Sequence, residues 1–203
     1  MLRRRAMMGA AKAGYQFVEY IQSDGNQYID TGVALTVPCQ IIAEMEVINK
    51  VACGSFNSSL NARDILVTRQ SGTVYVQAGR YTNWGISLTG KIKFDVSAKS
   101  DGCAYLVINN GYSSANFPYT VFDTAGNIYL FAYNLNSNIG AGVATDNGTV
   151  KLYSFAIYNN SVLVRNFVPC YKKSTGEIGL YDTVNDQFYT NQGTGTFAKG
   201  PDV

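Results

Sequence analysis

The chain reads as an all-β protein: one domain built as a two-sheet antiparallel β-sandwich. Three observations lead there. Apolar residues recur at every second position, turn formers break that pattern at intervals of about eight to twelve residues, and no amphipathic stretch is long enough for a substantial helix. Of the 203 residues, 46% are hydrophobic and 15% charged, which suits a packed body rather than a disordered chain. A chain of this length buries roughly 70% of the surface it exposes when unfolded, so it needs no covalent staple.

The elements follow in order. "YQFVEY" and "NQYIDTG" form two short strands around Ser23-Asp24-Gly25. "CQIIAEMEVIN" (39–49) is a long strand with two distinct faces. Ile41, Ala43, Met45 and Val47 are wholly apolar and belong in the core, while Ile42, Glu44, Glu46 and Ile48 face the other way. "DILVTR", the turn "QSG" and "TVYVQAG" make a hairpin in which Gly72 supplies a positive φ. In "GKIKFDV", Ile92, Phe94 and Val96 point inward. "CAYLVIN" starts after Asp101-Gly102 and ends at Asn109-Asn110-Gly111. "NIYLFAYN" (127–134) is apolar enough for one central strand. In the hairpin 150–170, Tyr153, Phe155 and Ile157 share a face, Asn159-Asn160-Ser161 turns, and Val162, Val164 and Phe167 return. The expectation is about thirteen strands, with 1–14 as a basic arm and 15–203 as the domain.

Composition removes several chemistries. The chain has no histidine, which excludes Ser-His and Cys-His nucleophiles, histidine bases and histidine-ligated metals. Cys39, Cys53, Cys103 and Cys170 include no C-x-x-C pair, so they read as reduced thiols packed as small hydrophobes rather than as a zinc set. The net charge is +2, and Arg3, Arg4 and Arg5 contribute three positives at one tip. The body is therefore nearly neutral, and no nucleic-acid surface is expected. The apolar run 6–11 is short and Lys12 interrupts it, so no signal peptide is expected. No stretch reaches the length of a membrane span. The arm reads equally as a flexible segment or as an assembly anchor through Arg3, Arg4 and Arg5.

Two motifs, taken together, carry a resemblance. "YIQSDGNQYIDTG" (20–32) opens the domain and "GLYDTVNDQFYTNQGTGTF" (179–197) closes it, with the strand series of 65–111 between them. Together they resemble laminin-G-like domains of the concanavalin A-like lectin/glucanase jelly-roll superfamily, in the branch found in phage and prophage proteins of gut bacteria. The resemblance spans residues 15 to 200. It implies a jelly roll whose last segment lies beside its first strand. Such folds host lectins, adhesins, enzymes and structural modules alike.

Candidate sites are read against that background. The terminal motif reads as architecture: two strands around Val184-Asn185-Asp186, then Gly193 and Gly195 bending the chain so that Phe197 tucks back. Glycosidases of the superfamily place two carboxylates on one face, and Glu44 and Glu46 have that spacing. Their surroundings do not match the catalytic pattern, and no enzyme is expected. The resemblance also implies rim calcium, for which Asp24, Asn26, Asp123, Asp146 and Asn147 are the turn-borne candidates. A glycan site needs an aromatic platform and amides. The loop "GRYTNWG" offers Arg80, Tyr81, Asn83 and Trp84, either as an exposed platform or with Trp84 plugging the sandwich. "YNLNSNIGAG" adds Asn134 and Asn136, and "NNGYSSANFPY" adds Tyr112 and Tyr119. The resulting expectation is a phage or prophage virion-associated, non-enzymatic adhesin binding cell-surface or mucus glycans. It would be made in the host cytoplasm and carried on the virion surface, touching other virion proteins or copies of itself. The alternative is a capsid decoration or head-fibre protein without a glycan ligand.

Overall fold

The computed structural model describes residues 12–79, 82–109, 112–118, 126–136 and 143–203; for Thr82, Tyr112–Pro118 and Asn136 the backbone alone is described. Arg3, Arg4, Arg5, Arg80, Tyr81, Tyr119 and Asp123 lie outside those residues. Within them every regular element is a strand: β1 (Tyr15–Phe17), β2 (Ile21–Gln22), β3 (Ile29–Ala34), β4 (Cys39–Asn57), β5 (Ala62–Gln70), β6 (Thr73–Gly79), β7 (Thr82–Ile86), β8 (Ile92–Ala98), β9 (Cys103–Ile108), β10 (Tyr112–Pro118), β11 (Asn127–Leu130), β12 (Tyr133–Asn136), β13 (Val143–Thr145), β14 (Thr149–Asn159), β15 (Val162–Lys172), β16 (Ile178–Asp182), β17 (Gln187–Thr190) and β18 (Ala198–Lys199).

These strands form two sheets that share β4. The first runs β10-β9-β8-β4-β14-β15-β16-β17, with β1 on β15 and β2 linking β14 to β18. The second runs β3-β11-β4-β5-β6-β7, with β12 parallel to the end of β4 and β13 beside β12. The 19-residue strand β4 passes from one sheet to the other. Lys50 at φ 57° and Gly54 at φ 143° break its regular twist, and its pairing with β5 slips at Val51/Cys53 and at Cys53/Phe56. Bulges of this kind turn sandwich corners. The expected strand 39–49 is thus half of a longer one.

The core lies between the sheets. Ile41, Ala43, Met45 and Val47 face it as the alternation predicts, each 1% exposed, and Ile92, Phe94 and Val96 meet them from β8. The second sheet contributes Ile65, Val67, Val74, Val76 and Trp84 to the same cluster. Burying one such side chain is worth about 1.5–3 kcal/mol, so this cluster sets the stability. Among the β5–β6 turn residues Ser71 and Gly72 both have positive φ, as the hairpin reading requires.

Three further expectations need correction. The stretch 127–134 is two strands, because the buried Phe131 adopts φ 67° between β11 and β12. Its N–H donates to Ala52 O at 2.7 Å and its carbonyl accepts from Gly148 N at 2.7 Å, so tertiary contacts hold a conformation that an aromatic residue rarely adopts. Tyr153 does not share a face with Phe155 and Ile157. A bulge between Leu152 and Ser154 turns Leu152 inward at 2% exposure and leaves Tyr153 outward. Finally, "TNWGI" is the paired strand β7 rather than a loop.

The two recognition motifs clasp each other. The buried Gln27 accepts from Asp24 N at 2.9 Å and donates to Thr196 O at 3.2 Å. Thr194 N donates to Asn26 O, Gln192 N to Tyr28 O, and β18 pairs with β2. Gly193 passes so close that a Cβ there would lie 2.2 Å from Asn26 O. Asp182, fully buried, accepts from Asn166 N, Val184 N and Asn185 Nδ2 and lies 3.6 Å from Arg165 Nε. Its oxygens organise the β16–β17 turn. Asp186 accepts from Lys12 Nζ and Tyr181 OH, tying the start of the described chain to that turn. The terminal motif is architecture, closing the sandwich on its first strands.

Candidate functional site

The outward face of the second sheet carries a cleft. Along β5, Ile65 and Val67 face the core while Leu66, Thr68 and Gln70 lie on the cleft side, and a bulge between Arg63 and Ile65 puts Arg63 there too. From β4 come Asn49, Lys50, Val51 and Phe56, from β6 Gln77, and from the segment after Phe131 come Tyr133 and Asp146. The cleft encloses about 430 Å³, inside the range of about 300–1,000 Å³ usual for small-molecule sites.

Its aromatic corner is the pair Phe56 and Tyr133, with ring centroids 6.0 Å apart in an edge-to-face arrangement. β12 runs parallel to the end of β4, so Leu135 pairs with Phe56 and Asn134 with Ser55. The Phe131 kink sets this register and leaves Tyr133 half-buried at the cleft. The Arg63 guanidinium lies over the Phe56 ring at 4.6 Å and donates to Asn61 Oδ1 at 3.3 Å. Burial lowers the Arg63 pKa from its usual value, opposed by Tyr133. Burial also raises the Tyr133 phenol, the Asp146 carboxylate adds to that rise, and Arg63 opposes it. Arg69 donates to the carbonyls of Val47 at 3.1 Å and Leu88 at 3.2 Å, which fixes its charge against the backbone.

The sequence-predicted glycan residues divide around this cleft. Asn83 pairs with Gln77 and is exposed, so it sits on the cleft face one strand further out. Trp84 points the opposite way, 5% exposed within the core, which decides for the plug over the exposed platform. Asn134 is 1% exposed, its Nδ2 donating to Asn127 O at 3.1 Å while its Oδ1 has no partner among the described residues. It supports the strand behind Tyr133 and is not available to a ligand. Asn136 ends β12, and its side chain lies outside the described set. The residues that shape the cleft, Phe56, Arg63, Arg69, Gln77 and Tyr133, were missed. The signal was present in "SFNSSLNAR", where an aromatic and an arginine flank an Asn-Ser turn.

Of the calcium candidates, Asp24, Asn26, Asp146 and Asn147 lie among the described residues. Asp24 Oδ1 accepts from Asn26 N and Nδ2, making an Asx turn, while Asp146 faces the cleft. Gly25 packs against Asn147 O, so the two turns are neighbours. Yet no group of three or more acids, cysteines or histidines converges among the described residues. Three cysteines are buried in strands, where desolvation pushes Cys39, Cys53 and Cys170 up to about 12; Cys103 is half-buried.

A second aromatic pair lies on the outward face of the first sheet. Tyr20 and Tyr153 have centroids 5.3 Å apart, with Lys151 and Lys91 over their rings. Here also are the two glutamates of β4, Glu44 at 3.5 Å from Lys91 and Glu46 at 3.1 Å from Lys151. No helix among the described residues is long and apolar enough to cross a membrane.

No family model matches the sequence, and no curated protein does. Among solved structures the fold is similar to one from Bacteroides ovatus described as a "putative carbohydrate binding protein", with a TM-score of 0.53 and 12% sequence identity. The match covers 93% of this chain and 62% of that one, so the chain spans less than two thirds of its neighbour's length. At this identity the likeness establishes the fold, an all-β sandwich.

Proposed function

We infer that the protein is a carbohydrate-binding module and that it binds through the cleft on the second sheet. The observation carrying this reading is the meeting, in one concave site, of the Phe56–Tyr133 corner with the amides of Asn49, Gln70 and Gln77. An aromatic face takes the apolar side of a sugar ring, and amides exchange hydrogen bonds with its hydroxyls. The neighbour of similar fold, described as carbohydrate-binding, supports the same reading. On a broad glycan array the soluble protein should retain a defined subset of sugars, and Tyr133→Ala should remove at least about tenfold in affinity, the ~1.4 kcal/mol of a lost ring contact. Retention of no glycan at millimolar concentration would sink the reading.

Two further parts of the proposal rest on the sequence. The protein acts without catalysis: wild type and Glu44→Gln, tested against a set of polysaccharides, should release no sugar. It also sits on a virion surface, a placement supported by the paired motifs. Antibody labelling of purified particles should decorate them, and bare particles would remove that placement while leaving the glycan reading intact.

A further inference from the structure

The charges around the cleft narrow the ligand further. Lys50, Arg63 and Arg69 line it against a single carboxylate, Asp146. None of the three cations has an ion-pair partner among the described residues. Arg69 is committed to two backbone carbonyls. Arg63 is not: among the described residues its guanidinium donates only to Asn61, leaving four of its five N–H groups without an acceptor there. Those donors are not buried, so a half-buried guanidinium in that state is open to an anion, and a bound carboxylate would take up the unused donors. The planar fork of arginine matches a carboxylate in two parallel hydrogen bonds. Its position over Phe56, beside Tyr133, puts that fork at the edge of the surface where a sugar ring would stack.

We propose that the cleft takes a carboxylate-bearing sugar, a uronic or sialic acid residue, with its ring against Tyr133 and Phe56 and its carboxylate on Arg63. This rests on the carbohydrate-binding reading and adds the substrate class. Lys50 is exposed at the mouth and contributes attraction at longer range, while Asp146 opposes it.

The test uses the full chain in titrations with oligogalacturonate and sialyllactose, each beside its carboxyl-reduced counterpart, in low and high salt. Wild type should bind at least one acidic probe about tenfold more tightly than the reduced form, the gap shrinking with salt. Arg63→Gln should lose most of that ratio while keeping the weaker affinity for the reduced sugar. Asp146→Asn, at a φ of 52° that asparagine tolerates, should raise acidic-sugar affinity a fewfold. If Arg63→Gln does not fold, Lys50→Asn, also at positive φ, reads the same field from an exposed position and should lower acidic-sugar affinity about threefold. Equal affinity for acidic and reduced probes overturns acid recognition and leaves the carbohydrate reading standing. An undiminished ratio in folded Arg63→Gln overturns the assignment to this cleft. Binding of no acidic, reduced or neutral sugar overturns both.

Discussion

On the first sheet Tyr20 and Tyr153 lie under Lys151 and Lys91, and those lysines are matched by Glu46 and Glu44. On the second sheet Phe56 and Tyr133 lie beside Arg63, Arg69 and Lys50, and among the described residues no carboxylate pairs with any of the three. The two outward faces use nearly the same residue types. They differ in whether the charges are answered within the protein. The first face is electrostatically closed: a ligand there would have to displace existing partners. The second is concave and keeps unanswered donors, which is what makes it the better candidate for recognition.

The largest effect separates both faces from the core. Trp84→Ala should cost about 3–5 kcal/mol of stability, measured by urea unfolding, because it opens a cavity between the sheets. Any sugar affinity of the folded fraction should be unchanged. Loss of binding at unaltered stability would instead return Trp84 to the surface. Next comes the clasp that closes the sandwich. Gly193→Ala forces a Cβ against Asn26 O, and an overpacked site of this kind loses about 1–3 kcal/mol. A thermal melt unchanged from wild type would show that the two motifs do not meet there.

Alkaline pH gives a third effect. The Cys39, Cys53 and Cys170 thiols rise from 9.0 to about 12 in the folded state through burial. The native protein therefore holds protons that the unfolded chain releases. The stabilisation is complete below pH 9 and drains away as pH climbs from about 9 toward 12. Urea midpoints should fall across that window and fall less in Cys53→Ala than in wild type. At neutral pH a thiol reagent should modify half-buried Cys103 well before the other three. The smallest effect tests the closed face. Glu46→Gln removes a partly exposed pair with Lys151 and should change stability by less than about 1 kcal/mol, with no change in sugar binding.

Much of the fold was legible because alternation reports burial directly. Met45 and Glu46 sit on opposite faces as their order requires, and Ser71-Gly72 turns as its residue types demand. The failures have a common cause. Phe131, Lys50 and the Leu152–Ser154 bulge each shift the alternation by one residue, and each is held by contacts distant in sequence, such as Phe131 with Ala52 and Gly148. A period-two reading has no access to those contacts, so it ends the strand at 49, joins 127–134 and puts Tyr153 on one face with Phe155 and Ile157. The site was read worse for the same reason. The cleft is assembled from β4, β5, β6 and β12, and its key arginine faces outward because of a bulge beside it. A lone tryptophan between glycines was a stronger local signal than Phe56 or Arg63, yet in space it serves the core.

The most direct test is a titration of isotope-labelled protein with a retained sugar, followed by amide chemical-shift mapping. The backbone signals of Phe56, Arg63, Gln77 and Tyr133 should move together with a single affinity, while those of Tyr20, Glu46 and Tyr153 stay still. Shifts gathered around Tyr20 and Tyr153 instead would place recognition on the other sheet and contradict the account.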